Sequence, residues 1–341
     1  MFSLAILFTA LPLLYFIYGL LGRKLTISEI DRKAVLITGC GNGFGRDLVK
    51  RCLQNGLTVF AGCRRAISVK ELEESYNSIS QGRLYAFQMD VTDDESVRKS
   101  REIVDRVLKQ KNLVFHALVN NAGVRGNIFY DDFLTLDDYK EVWDVNLCGV
   151  IRVTQTFRDL IKKSRGRIVM CSSSAALVCV PGYGPYSSSK CALQAYTDVI
   201  RHELGLYGVQ VITISPGSFL SGMQETQGIK NMINTVWYRA SEDLRDEYGH
   251  DYIDKAKVFV NNLQSKMLSK DTTWVINSYY EAIVTRRPKL SSIIGWDALL
   301  LFYPTSWLPP FMQQYIVRLV LYFLDAPLPA VINKNRNLRN N

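Results

Sequence analysis

Leu36–Gly45 reads LITGCGNGFG, with four glycines in seven residues directly after an apolar run. Glycines at that density permit a tight turn, let a pyrophosphate approach backbone amides, and let a helix pack close to a strand. A P-loop is excluded, because no Lys-Ser or Lys-Thr follows. The spacing G-x-G-x-x-G also fails: Gly39 and Gly41 lead to Phe44, and Gly41 and Gly43 lead to Arg46. The pattern present is Thr38-Gly39-x-x-x-Gly43-Phe44-Gly45. Alone it also fits an ordinary glycine-rich strand-to-helix turn, so its meaning depends on what surrounds it.

Outward from that turn, short apolar strands alternate with amphipathic helices. Candidate strands are Lys33–Thr38, Leu57–Gly62, Arg83–Gln88, Phe115–Asn120, Arg167–Ser173, Val209–Ser215 and Leu290–Ile294, with helices such as Val97–Gln110 and Asp137–Leu160 between them. The strands are nearly continuous apolar runs, which is the pattern of parallel strands covered on both faces. The expected fold is α/β: a doubly wound, Rossmann-type, mostly parallel seven-stranded sheet with a cofactor at the strands' carboxyl ends. Between the sixth and seventh strands lie about 70 residues, far more than a crossover needs. They are rich in Phe219, Met223, Met232, Trp237, Tyr238 and Phe259. A substrate lid, extra packing or a membrane-contact surface would each suit that composition.

The chain has 341 residues, nearly half of them apolar. Its first 22 carry no charge, and Arg23 and Lys24 follow. That is long enough to cross a bilayer as a helix and lacks the layout of a cleaved signal peptide. The basic flank then places the main domain in the cytosol. Near the other end, Ala298–Tyr303 and Tyr315–Leu324 are strongly apolar but too short to span. They suit interfacial helices, a greasy rim at a substrate entrance, or core packing. Seven scattered cysteines without CxxC spacing agree with a reducing compartment. Formal net charge is +9, without a recognition motif or aromatic-basic interleaving, so no nucleic-acid partner is expected. An anionic membrane surface accounts for the excess, and so does plain solvated charge. Three widely separated histidines offer no metal-ligand spacing.

Chemistry-bearing residues follow the strand ends. Asp90-Val91-Thr92 follows strand three; Asp90 can accept from an adenine amino group, while Thr92 with Glu95 predicts a capping box. Asn120-Asn121-Ala122-Gly123 follows strand four and suits close passage of backbone past a cofactor. Ser172, Ser173 and Ser174 follow strand five; Tyr186 comes thirteen residues after Ser173, and Lys190 four after Tyr186. The i, i+4 spacing puts Tyr186 and Lys190 on one helix face. A free phenol titrates near ~10 and is a poor base at neutral pH. An ammonium at about 4 Å, in an effective dielectric near 20, contributes roughly 4 kcal/mol, or about three pKa units.

T-G-x-x-x-G-x-G, N-N-A-G, a serine thirteen before a tyrosine, and Y-x-x-x-K occur here in the order of the short-chain dehydrogenase/reductase family, which the chain resembles over Lys33 to Gly217. The resemblance implies Tyr186 as general acid/base, Lys190 as its pKa partner and ribose ligand, Ser173 orienting the substrate oxygen, and Asn146 in a proton relay. It implies cofactor contacts at Thr38, Gly39, Gly43, Phe44, Gly45, Arg64, Asp90, Val91, Asn120, Ala122, Gly123, Tyr186, Lys190, Pro216, Gly217 and Ser221. Substrate contacts are expected at Ser173, Tyr186, Phe219 and Met223. Tyr280-Glu281-Ala282, Arg286-Arg287-Pro288 and Ile294-Gly295-Trp296-Asp297-Ala298 look like the membrane-bound retinol and hydroxysteroid dehydrogenases.

The activity implied is NAD(P)-dependent interconversion of a lipid-soluble alcohol and its carbonyl. A hydroxysteroid is preferred and retinol is the alternative; a non-catalytic sterol- or cofactor-binding protein is a third reading. NADP is favoured over NAD, because Cys63, Arg64 and Arg65 stand where NAD users often place a carboxylate. The expected layout is an anchor over 1–22, a dehydrogenase domain over 33–295 with a lid insertion at 216–287, an apolar extension over 296–330, and a disordered tail over 331–341. The expected location is the endoplasmic reticulum membrane, facing the cytosol, with a homodimer left open.

Overall fold

The structure, a computed structural model, describes residues 25–220 and 226–332. The anchor expected over 1–22, Ser221, Met223 and nearly all of the expected tail lie outside the described residues. Seven strands form one parallel sheet: β1 (Lys33–Thr38), β2 (Thr58–Cys63), β3 (Leu84–Gln88), β4 (Val114–Asn120), β5 (Arg167–Cys171), β6 (Gln210–Pro216) and β7 (Ser291–Ile294). Their order is β3-β2-β1-β4-β5-β6-β7. The strand reading of the sequence holds to within two residues at each end.

Alternation along each strand explains why both faces are apolar. In β1, Val35 and Ile37 point into one core layer while Ala34 and Leu36 point into the other, and all four are fully buried. The first layer is covered by α1 (Gly43–Gln54), α2 (Ala66–Ser80) and, much later in the chain, Thr273–Val284. The second is covered by α3 (Asp94–Lys111), α5 (Val150–Ser164) and α6 (Gly184–Gly205). Each fully buried Leu, Ile or Phe in these layers, such as Leu36, Phe60 and Phe157, stabilises by about 1.5–3 kcal/mol.

Two local expectations are corrected. The helix expected over Asp137–Leu160 is interrupted: α4 (Leu136–Trp143) passes through a π turn at Asp144–Gly149 before α5 begins. The α3 cap is Asp93, whose carboxylate accepts from the Glu95 amide at 3.0 Å, whereas the Thr92 hydroxyl donates to Asp90 at 2.7 Å. The nearby Asp90 acceptor takes Thr92 out of the capping position.

The long segment before β7 has two parts. Helices α7 (Thr226–Arg239), α8 (Glu242–Tyr248) and α9 (Tyr252–Met267) stand over the carboxyl edge of the sheet, around a second core of Phe129, Phe133, Trp237, Tyr248 and Tyr252. Helix α10 (Thr273–Val284) is an ordinary sheet-covering helix. Its C-terminus is closed by donors from two buried side chains, the Arg167 guanidinium and the neutral His116 imidazole. Arg167 donates to the carbonyls of Ala282, Ile283 and Thr285, and His116 Nε2 donates to Ile283 O at 2.9 Å. These bonds satisfy carbonyls that a helix end leaves orphaned. A further helix, α11 (Pro310–Phe323), lies in the apolar extension.

Burial depresses His116 to about 4. Its folded pKa lies below the unfolded value, so stability is full above about pH 6.5 and falls as pH drops towards 4, by roughly 3 kcal/mol. Urea unfolding at pH 7 and pH 4.5 should show this loss, and His116→Gln, which keeps an N–H donor, should lose clearly less on acidification.

Candidate active site

Adjacent strands β1 and β4 are followed by helices on opposite faces of the sheet, so a crevice opens between their carboxyl ends. Thr38 Oγ1, at the end of β1, accepts from the amides of Asn121 and Ala122 at 3.1 and 3.0 Å. In return Asn121 Nδ2 donates to Thr38 O at 2.9 Å and to Gly39 O at 3.3 Å. Gly39 turns with φ +72°, and a Cβ there would stand 2.8 Å from Ala122 Cα. A Cβ on Gly45 would meet Gly39 O at 2.5 Å and Asn121 Nδ2 at 2.6 Å. Helix α1 therefore approaches the seam more closely than any side chain allows.

The resulting cleft of about 420 Å³ is lined by the turn residues Gly39, Gly43 and Phe44, by Arg64, Asp90 and Val91, and by Ala122 and Gly123. Its floor fits a nicotinamide dinucleotide. No side chain caps α1, so the first-turn amides and the helix dipole are left for a pyrophosphate. Arg64 Nε lies 3.4 Å from Asp90 Oδ2. Burial alone would raise Asp90; hydrogen bonds from the Thr92 amide and hydroxyl, with the charge of Arg64, bring it below the usual carboxylate range. Asn120 is turned away, its amide donating to Thr154 Oγ1 at 2.9 Å. Asn121 carries the seam in its place.

A second cavity has a volume of about 280 Å³. Its polar end is Ser173, Tyr186 and Arg125; the rest is apolar, from α7 and α9 (Ile233, Phe259) and from the extension (Phe302, Val317, Leu321). Gly217 and Ser218 also border it. Their loop after Pro216, the last residue of β6, is held by Asp297, whose Oδ2 accepts from the Ser218 amide at 2.8 Å. Phe219 does not line the cavity: it is buried edge-on against Phe44, with ring centroids 6.3 Å apart.

Tyr186 and Lys190 project from α6, and Ser173 ends the loop after β5. Ser173 hydrogen-bonds the Tyr186 phenol, and its Oγ also accepts from the Ala175 amide at 3.1 Å. Lys190 Nζ is buried and donates to Cys171 O at 2.7 Å, 5.7 Å from the centre of the Tyr186 ring. The expected lowering of the tyrosine is therefore not met in the protein alone. Burial pushes Tyr186 up to about 12, Cys171 adds to the rise, and the Ser173 bond and Arg125 only partly oppose it. Burial also lowers Lys190. Asn146, in the π turn, is fully buried: Nδ2 donates to Val124 O at 2.8 Å and to Ser189 Oγ at 3.0 Å, while Oδ1 accepts from Val124 N at 2.8 Å. It clasps the segment after N-N-A-G, which explains the wider helical turn. The sequence reading missed Asn121, Asp297 and Arg125 as site residues. Arg125 lies two residues beyond N-N-A-G, and only its neighbours in space bring it to the site.

Fold and site together define an NAD(P)-dependent oxidoreductase of alcohols and carbonyls. The short chain dehydrogenase family matches residues 33–231, and the chain belongs to that family. It is 33% identical to a 3beta-hydroxysteroid dehydrogenase of Caenorhabditis elegans, over 97% of this chain and 87% of the relative. It is 32% identical to retinol dehydrogenase 16 of Homo sapiens, over 93% and 96%. Its fold is that of a Burkholderia phymatum short chain dehydrogenase/reductase solved with NAD, with a TM-score of 0.64, 23% identity, and coverage of 82% and 94%.

Gly45→Ala should weaken NADP binding at least tenfold, read by calorimetric titration, because the methyl group forces the seam apart. Gly205→Ala, where nothing lies within 4 Å of the new carbon, should leave binding unchanged.

Proposed function

We propose that the protein interconverts a hydroxysteroid and its ketosteroid, with NADP preferred over NAD. The observation that carries this reading is an apolar cavity whose polar end is the Ser173–Tyr186 pair. A rigid apolar alcohol fills such a space and presents its one hydroxyl to the pair. Its volume lies near the lower end of small-molecule sites, which run from about 300 to 1,000 Å³. The similarity to a hydroxysteroid dehydrogenase supports the same substrate class. Retinol is the second reading, supported by the similarity to a retinol dehydrogenase.

In the oxidative direction Ser173 holds the substrate hydroxyl, and Tyr186 takes its proton. The nicotinamide supplies the hydride acceptor, and the donor in the reverse reaction. Lys190, with Nζ 3.7 Å from where a Gly123 side chain would begin, faces the cofactor side of the site. There it suits a ribose hydroxyl as well as the phenolate. Arg64 and Arg65 border the cleft beyond β2, and the strand's last residue, Cys63, brings no carboxylate to repel a ribose phosphate.

The same reading places the enzyme on the endoplasmic reticulum membrane, facing the cytosol. The uncharged run 1–22 followed by Arg23 and Lys24 supports it. Among the described residues no helix is long and apolar enough to cross a membrane. However, Trp307, Phe311, Tyr315, Tyr322 and Phe323 form an exposed aromatic surface on the extension, with Trp307 75% accessible. Aromatic side chains of this kind seat at a bilayer interface.

Three outcomes test the proposal. Tyr186→Phe should lose 10²–10⁴-fold in turnover of a 3-hydroxysteroid at unchanged NADP affinity; turnover of retinol but not of any hydroxysteroid by the unmodified protein selects the second reading. Arg64→Ala should raise the Kd for NADP more than that for NAD. Replacing Trp307, Phe311 and Tyr322 together by serine should reduce co-flotation of a chain lacking residues 1–24 with phosphatidylcholine–phosphatidylserine vesicles.

A further inference from the structure

Arg125 is the one charged side chain lining the apolar cavity among the described residues. It is only 5% exposed. Burying a guanidinium is costly, so a buried one is held by hydrogen bonds or by paired charge and keeps its field in a low-dielectric place. Its backbone position is tightly determined. Asn146 grips both the amide and the carbonyl of Val124, the residue before it, at 2.8 Å each. Gly126, the residue after it, adopts φ +70°, and a side chain there would collide with Val142. The π turn that carries Asn146 and the glycine that follows Arg125 thus aim one side chain at the end of the cavity where Ser173, Tyr183 and Tyr186 meet.

We infer that Arg125 is a positioning residue that stabilises the Tyr186 phenolate from the substrate side of the ring. Lys190 acts from the other side. It does not line the cavity, it is committed to Cys171 O, and it lies against Gly123 in the cofactor cleft. Among the described residues, Arg125, Lys190, Cys171, Tyr183 and Tyr279 face the Tyr186 phenol or its ring electrostatically. Of these only Arg125 and Lys190 bring positive charge, and only Arg125 does so in the cavity. The charge of Arg125 favours the ionised form of both Tyr183 and Tyr186, and a phenolate at either position would in turn favour the protonated guanidinium against the desolvation that lowers it. An apolar substrate that displaces water from the cavity strengthens this interaction, because the local dielectric falls.

The inference rests on the acid/base role proposed for Tyr186, so its test includes a readout that needs no substrate. The full chain is labelled with [13Cζ]tyrosine and titrated with saturating NADP+; the resonance lost in Tyr186→Phe assigns Tyr186. In Arg125→Met the Tyr186 midpoint should rise by at least about one unit, a tenfold fall in phenolate at fixed pH. Arg125→Lys, which keeps the charge, should stay within about half a unit of the unmodified protein. The pH midpoint of kcat/KM for a 3-hydroxysteroid or all-trans-retinol should move with the resonance. Should Arg125→Met fail to fold, Arg125→Gln supplies the neutral side chain. An unchanged midpoint in a folded neutral variant, or a lysine variant that shifts as far as the neutral one, overturns the inference. If neither alcohol turns over, the substrate reading fails, while the resonance still decides the role of Arg125.

Discussion

The hydroxyl of Thr38 accepts two consecutive amides, those of Asn121 and Ala122, and the Asn121 side chain answers with a bond to Thr38 O. This seam joins the exits of β1 and β4 where the chain's helices part to opposite faces of the sheet. The rest of the site depends on it. Gly45 brings α1 against Gly39 O and the Asn121 amide, so the orphan amides of the helix face the crevice. Gly123, two residues on, leaves room for both Asn146 and Lys190. Val124 is then held by Asn146, and Arg125 is delivered to the substrate cavity. A displaced seam would disturb both the cofactor floor and the electrostatics of the tyrosine.

Burial and charge oppose each other at Tyr186. A cavity that accepts an apolar alcohol has to be dry, and a dry cavity disfavours a phenolate. In the protein alone burial wins, and Tyr186 stands at about 12. Opposing it are Ser173, within hydrogen-bond reach, and the charge of Arg125 in the cavity, while the Lys190 ammonium lies 5.7 Å from the centre of the ring. Their low-dielectric surroundings make each of them stronger than it would be in water. The positive charge a nicotinamide carries in its oxidised form adds to the same side of the balance when the cofactor is bound.

The apolar extension joins the chemistry to the surface. One side of α11 contributes Ile316, Val317, Val320 and Leu321 to the cavity, while Phe311, Tyr315 and Tyr322 face outward. Helices α7 and α9 also line the cavity, and Tyr252 links α9 to the end of the extension through a 3.4 Å bond to Pro327 O. Asp297 ties the start of the extension to the loop after β6. The extension is thereby tied to the Gly217–Ser218 backbone that borders the polar end of the cavity.

Local chemistry decided what the sequence could show by itself. Nearly continuous apolar runs identified the central strands, because a strand buried on both faces has few polar positions to spare; β3 and β7, at the two edges of the sheet, are only partly buried. The glycine spacing at Gly39–Gly45 and the i, i+4 pair Tyr186–Lys190 were legible, because turns and helix faces are short-range geometry. Tertiary structure decided the rest. The π turn at Asp144–Gly149 follows from bonds between Asn146 and a segment 22 residues away. Asn120 and Asn121 are adjacent and chemically identical, and only the pairing of β4 with its neighbours turns one towards Thr154 and the other towards Thr38. Phe219 and Phe259 are equally aromatic, yet only Phe259 reaches the cavity. The acidity of Tyr186 was misjudged for the same reason: spacing gives a partner's identity, but desolvation is set by everything that packs around the pair.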